Sequence, residues 1–187
     1  MTHDEEATVQ PAVGTPVDQR VVRRRAVFDL QAANAAAEAW GFNCGPGALC
    51  AVLGLTPAEL RPKMGDFEAK GYTNPTLMWA VLDRIGRPWR KCGKDWPRYG
   101  LVRIQWEGPW SEPGQNPKWG YRQTHWVASW ISEDRGHGIF DINMTGNDTG
   151  WSSREHWERI IVPLLVEATP RANGKWHVTH GVEIQPN

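Results

Sequence analysis

The chain has 187 residues, enough for one domain with an ordinary core and an appended segment. Its 21 basic and 21 acidic side chains cancel, which argues against a nucleic-acid partner or an acidic membrane surface, and the short run Arg23 to Arg25 does not alter that. No apolar run approaches the roughly 20 residues that cross a bilayer, and the acidic N-terminus lacks a signal-peptide pattern; a soluble, cytoplasmic protein is expected, with release by another route or virion association left open.

Residues 1–20, polar, proline-containing and without period, read as a tail that ends by residue 25, and a protein partner is the expected means of ordering it. Residues 26–187 then form a single domain. "FDLQAANAAAEAW" (28–40) is alanine-rich, with Asp29 placed to cap a helix and Gly41 to end it. "CGPGALCAVL" (44–53) predicts the next helix. Pro46 is tolerated only in a first turn, so it fixes Cys44 at the helix start. "TPAELRPKM" predicts a short helix from 57. "NPTLMWAVLDRIG" (74–86) repeats its grammar, with Asn74 as cap, Pro75 first, Gly86 last, and Leu77, Val81 and Ile85 on one face.

The second half changes character. "GLVRIQWEG", "THWVASWI", "GIFDINM", "IIVPLLVEA" and "WHVTHGVEI" read as strands of an antiparallel sheet, while "WRKCGK" and "SEPGQNPKWGYRQ" (111–123) read as loops. Helices followed by a sheet make an α+β domain. A hairpin through "SEDRGHG" sets 125–131 against 139–143, with position 125 opposite or just beyond 143. The 12 tryptophans have two readings, as core filling or as an aromatic-lined groove, and Trp119 and Trp126 are the groove candidates.

Three cysteines with no C-x-x-C spacing fit neither a disulfide framework nor a structural zinc site, and no metal or other cofactor is expected. Cys44 and Cys50 fall about 120° apart around one helix, too far to pair. Cys50 reads as core and Cys92 as incidental. Cys44 stands at a helix N-terminus, where the macrodipole favours a thiolate and backbone N–H groups can hold an oxyanion. Gly45 beside it removes a side chain that could obstruct a substrate. Of the six histidines, His3 lies in the tail, His137 reads as a turn residue, His156 as a helix surface residue, and His177 and His180 as ordinary strand residues. His125 opens an alternating strand at a loop exit, near the sheet edge, and is the candidate base. Asp141 and Asn143, two residues apart on one predicted strand face, are both placed to orient its ring.

The ordered set "NCGPGALC", "THWVASW" and "GIFDIN" resembles the papain-like cysteine peptidase superfamily, closest in style to its bacterial and phage branches of bacteriocin-processing type, over about residues 30–145. The resemblance implies Cys44 as nucleophile, His125 as base and Asp141 as the orienting group, with Asn143 as alternative. It implies a papain-like fold that hydrolyses a peptide or isopeptide amide in a peptide or protein substrate. Many members carry a glutamine about six residues before the cysteine as oxyanion support; this chain has Glu38 there. The nearest amides are Asn43, Asn34 and Gln31: either backbone N–H groups suffice for the oxyanion, or Asn43 or Gln31 substitutes, or activity is reduced. Glu38 also motivates a second reading, a papain-fold binding or structural module such as a virion component or host-factor binder. A third is a transglutaminase or deamidase acting on glutamine side chains.

Overall fold

The structure, a computed structural model, describes residues 30–41, 44–144 and 150–185. The expected tail, the Asp29 cap and Asn43 lie outside the described residues. Helix α1 (Leu30–Trp40) turns its small and aromatic residues Ala36 and Trp40 inward and ends at Gly41, whose φ of +62° suits a residue without a side chain. Helix α2 (Cys44–Leu53) starts at the cysteine, with Pro46 in its first turn, and is buried from Gly45 to Leu53.

Thr56 caps α3 (Pro57–Leu60) in a reciprocal box with Glu59, and α4 (Phe67–Lys70) follows. Asn74 caps α5 (Pro75–Ile85), accepting from the Leu77 N–H at 2.8 Å, and Gly86 closes it in the left-handed conformation. The expected inner face is present and wider than expected, with Leu77, Met78, Val81 and Leu82 buried.

Among the described residues six antiparallel strands follow: β1 (Trp89–Gly93), β2 (Tyr99–Trp106), β3 (Thr124–Ser132), β4 (Gly136–Phe140), β5 (Trp151–Ser153) and β6 (Trp176–Ile184). Their spatial order is β1-β6-β2-β3-β4-β5. Alternation of side chains splits the sheet into two packed faces. Leu101, Ala128, Phe140 and Val182 face the N-terminal helices and join Leu49, Met78 and Leu82 in one cluster. Val102, Ile104, Val127, Ile139 and Val178 face the other way, onto Trp157 and Val162. The chain is thus an α+β domain, with its helices N-terminal and an antiparallel sheet after them. Helix α2 packs on β3, which brings the two sequence segments of greatest chemical interest together.

Three readings need correction. "IIVPLLVEA" is helical: α7 (Arg154–His156), capped by Ser153, runs through a π-type turn (Trp157–Ile161) into α8 (Val162–Glu167). Pro163 has no N–H for a strand ladder, and the wider π turn before it accommodates the missing helical bond. "WRKCGK" forms the edge strand β1, so Cys92 is on a strand. The 111–123 loop contains a short helix, α6 (Pro117–Gly120), capped by Asn116.

Candidate active site

Proline in its first turn and tight packing hold α2 in place. A Cβ built on Gly45 would lie 2.3 Å from Thr73 Oγ1, and one on Gly47 2.6 Å from Ile142 Cδ1. Gly45 is therefore buried in close packing against Thr73. Gly47 lets α2 sit directly on the residue after Asp141. Cys44 itself is half-buried, at the positive end of the helix.

β3 is an interior strand, so His125 stands at the end of the sheet, not at its lateral edge. The β3–β4 pairing sets Ala128 opposite Phe140; continued three residues further, it brings His125 opposite Asn143. β4 stops at Phe140, however, and the chain turns, so Asp141 and Asn143 do not share a strand face. The turn directs the carboxylate at the imidazole: His125 Nε2 and Asp141 Oδ2 are 2.8 Å apart. His125 is 7% exposed and Asp141 is fully buried.

Since Nε2 is committed to Asp141, Nδ1 is the nitrogen left to hydrogen-bond the Cys44 thiol. The Trp126 backbone N–H also donates to that sulfur. The electrostatics follow from this line of groups. Burial pushes the Cys44 thiol up, but the His125 imidazolium, its hydrogen bond and the Trp126 N–H together outweigh burial, and the thiol ends below its ordinary value. Burial acts to lower His125, yet the Asp141 carboxylate and the Cys44 thiolate raise it well above the usual imidazole range. Asp141 ends low: burial opposes its charge, and His125, Trp157 and the Asn143 N–H overcome that. These directions all favour the charged forms, thiolate, imidazolium and carboxylate, in a row.

Among the described residues, the Asp141 carboxylate accepts four hydrogen bonds. Oδ2 takes His125 and, at 2.9 Å, the Trp157 indole N–H; Oδ1 takes the Asn143 backbone N–H at 3.0 Å and its Nδ2 at 3.2 Å. Trp106 stacks along the imidazole, with ring centroids 6.3 Å apart and planes 20° from parallel. An aromatic wall and a saturated carboxylate together fix the ring's orientation.

No family model, curated protein or solved structure matches the chain.

The structure brings Cys44, His125 and Asp141 together, and it makes Asn143 a donor to Asp141 instead of a substitute for it. Trp126 is buried among core residues and presents no groove surface. Trp119 is 58% exposed on α6, in the loop that leads into β3. Gln31 and Glu38 are exposed on α1, and helix geometry turns both away from the face that carries Ala36 and Trp40. His137 is no turn residue: it pairs with Ile131 on β4 and bonds Ser129 Oγ at 2.9 Å. Burial, then the Arg154 charge, lower its pKa to about 4. Among the described residues no group of three or more His, Cys, Asp or Glu could hold a metal ion, and no helix is long and apolar enough to cross a membrane.

Trp157 and Trp106 escaped sequence reasoning. A signal for Trp157 was available, as the one aromatic in the polar helical stretch "SSREHWERI". Trp157→Phe keeps most of the buried ring and deletes the N–H held by a carboxylate. It is expected to cost about 1.5–3 kcal/mol in urea unfolding and to raise the Cys44 thiol pKa, read from alkylation against pH.

Proposed function

We propose that the chain is a papain-like thiol hydrolase that cleaves a peptide or isopeptide amide in a peptide or protein substrate. The observation that carries this reading is the unbroken line of hydrogen bonds from a half-buried thiol at a helix start, through both nitrogens of one imidazole, to a buried carboxylate.

In this mechanism the Cys44 thiolate attacks the amide carbonyl carbon, forming a C–S bond and a tetrahedral oxyanion beside the N-terminus of α2. His125 gives its Nδ1 proton to the leaving amine as the C–N bond breaks. Water then enters, His125 takes its proton, hydroxide adds to the thioester, and loss of the C–S bond returns thiolate and acid. Asp141 keeps the imidazole oriented and stabilises its cation without taking the proton.

p-Nitrophenyl acetate tests the reading. Wild type should release nitrophenolate in a burst equal to the enzyme present, with one acetyl group on Cys44 by peptide mass spectrometry, and Cys44→Ala should show no burst. Acetylation of Cys44 no faster than of the same thiol in urea-unfolded chain sinks the hydrolase reading and leaves a binding module. Ammonia release from a glutamine peptide without backbone cleavage replaces peptide-bond cleavage with side-chain deamidation.

A further inference from the structure

β2 carries one charged residue in an apolar run, Arg103 in "GLVRIQW". It lies on the Leu101 side of the strand, facing the helical layer, and is 5% exposed. It pairs across the sheet with Trp126 on one side and His180 on the other. A guanidinium shut away from water needs a counter-charge or a full set of acceptors.

Arg103 has neither. Its Nη2 donates to Thr124 Oγ1 at 3.1 Å and its Nη1 reaches Thr179 Oγ1 at 3.5 Å, both neutral hydroxyls, and buried Nε has no acceptor. Among the described residues no carboxylate pairs with it. Two acidic groups of the sheet region are engaged elsewhere, Glu107, just past the end of β2, with His177 and Glu183 on β6 with Arg90.

The location gives this surplus charge a meaning. Thr124 immediately precedes His125, and Trp126, the cross-strand partner of Arg103, gives its N–H to the Cys44 sulfur. Burial lowers the Arg103 pKa, and the Cys44 thiolate is close enough to act against that. The register shift between Arg103 and Ile104 sets His180 opposite Arg103 on the same side of the sheet. Burial, then the positive charges of Arg103 and Lys91, disfavour an imidazolium at His180. The strip beside the thiol is thus electropositive, with a planar two-pronged donor at its centre. Planar guanidinium groups of this kind bind carboxylates through paired N–H donors.

We propose that Arg103 binds a carboxylate carried by the substrate next to the carbonyl that Cys44 attacks. The preferred class is acidic acyl compounds, meaning peptides with an acidic side chain beside the scissile bond or a free chain end close to it. This rests on the thiol-hydrolase reading of Cys44, and it goes further by naming the substrate's charge.

The test uses the full chain and two small alkylators of similar size, iodoacetate and neutral iodoacetamide, with labelling at Cys44 resolved by peptide mass spectrometry. Thiolate content affects both rates alike, so their ratio isolates the attraction for a carboxylate. In wild type the iodoacetate-to-iodoacetamide ratio at Cys44 should exceed that of the urea-unfolded chain. Arg103→Met should lower the ratio about tenfold, the scale of one charge-assisted hydrogen bond, and Arg103→Lys should retain part of it. A wild-type ratio equal to the unfolded chain's overturns the proposal even if Arg103→Met fails to fold; so does a ratio that survives in a folded Arg103→Met. Slow reaction of folded Cys44 with iodoacetamide itself marks failure of the hydrolase reading instead.

The source of the carboxylate is read from protection against iodoacetamide. Acetyl-aspartate amide protecting best assigns it to a side chain, and acetyl-alanine protecting best assigns it to a chain end. Protection by either that persists in Arg103→Met overturns the assignment to Arg103.

Discussion

Asp141→Ala is expected to lose about 3–5 kcal/mol of folding stability, the scale of breaking a buried ion pair from one side. The reason lies in what surrounds the carboxylate. The four described groups that hydrogen-bond it are donors, from His125, Trp157 and Asn143. Alanine strands each of them in a site shut from water, and it removes the anion that keeps His125 charged. Urea unfolding reads the first effect; the second is a thiol that needs higher pH to react, because a neutral imidazole no longer offsets burial at Cys44. Asp141→Asn keeps the shape, but its one oxygen can accept at only one of the two positions that now receive paired donors. It should fall between wild type and alanine in stability while losing as much of the thiolate. An alanine variant as stable as wild type contradicts the four-donor account of Asp141.

His125→Ala is expected to reduce turnover of p-nitrophenyl acetate by about 10²–10⁴-fold, the usual contribution of a general acid–base group. The direction of its effect on Cys44 is fixed by the opposing influences there. Burial raises the thiol pKa, and the largest influence against burial is the His125 charge, followed by its hydrogen bond. With the ring gone the Trp126 N–H and the end of α2 remain on the stabilising side against burial, so the thiol pKa rises and the reactive fraction falls. Acylation and deacylation should both slow, since the same nitrogen serves both. Loss of deacylation alone, with an undiminished burst, would mean that Cys44 is activated by the helix end without the imidazole.

Much of the site was legible because it depends on local rules. Pro46 could stand only in a first turn, which put Cys44 at the start of α2. The glycine-containing turn between β3 and β4 fixed their register closely enough to bring residues 141–143 near His125. What stayed hidden depends on tertiary packing. A short apolar run such as 160–168 satisfies a strand and a buried helix equally, and only Pro163 argued for the latter. Asn143 looked equivalent to Asp141 until β4 ended at Phe140 and the turn made one the donor to the other. Trp157 lies 16 residues from Asp141, on a helix covering the face of the sheet opposite α2, so no spacing rule links the two. Gly45 and Gly47 were visible as small residues, but the atoms that require them, on Thr73 and Ile142, come from distant segments.

The central claim is that His125, held charged by Asp141, lowers the Cys44 thiol pKa and so favours the thiolate. The most direct measurement is the rate of Cys44 alkylation by iodoacetamide, followed by peptide mass spectrometry from about pH 5 to about pH 9, against a free thiol's pKa of about 8.5. The account predicts an inflection below that value in wild type and a shift upward in His125→Ala. A wild-type inflection at or above about 8.5, or one that His125→Ala leaves in place, contradicts it.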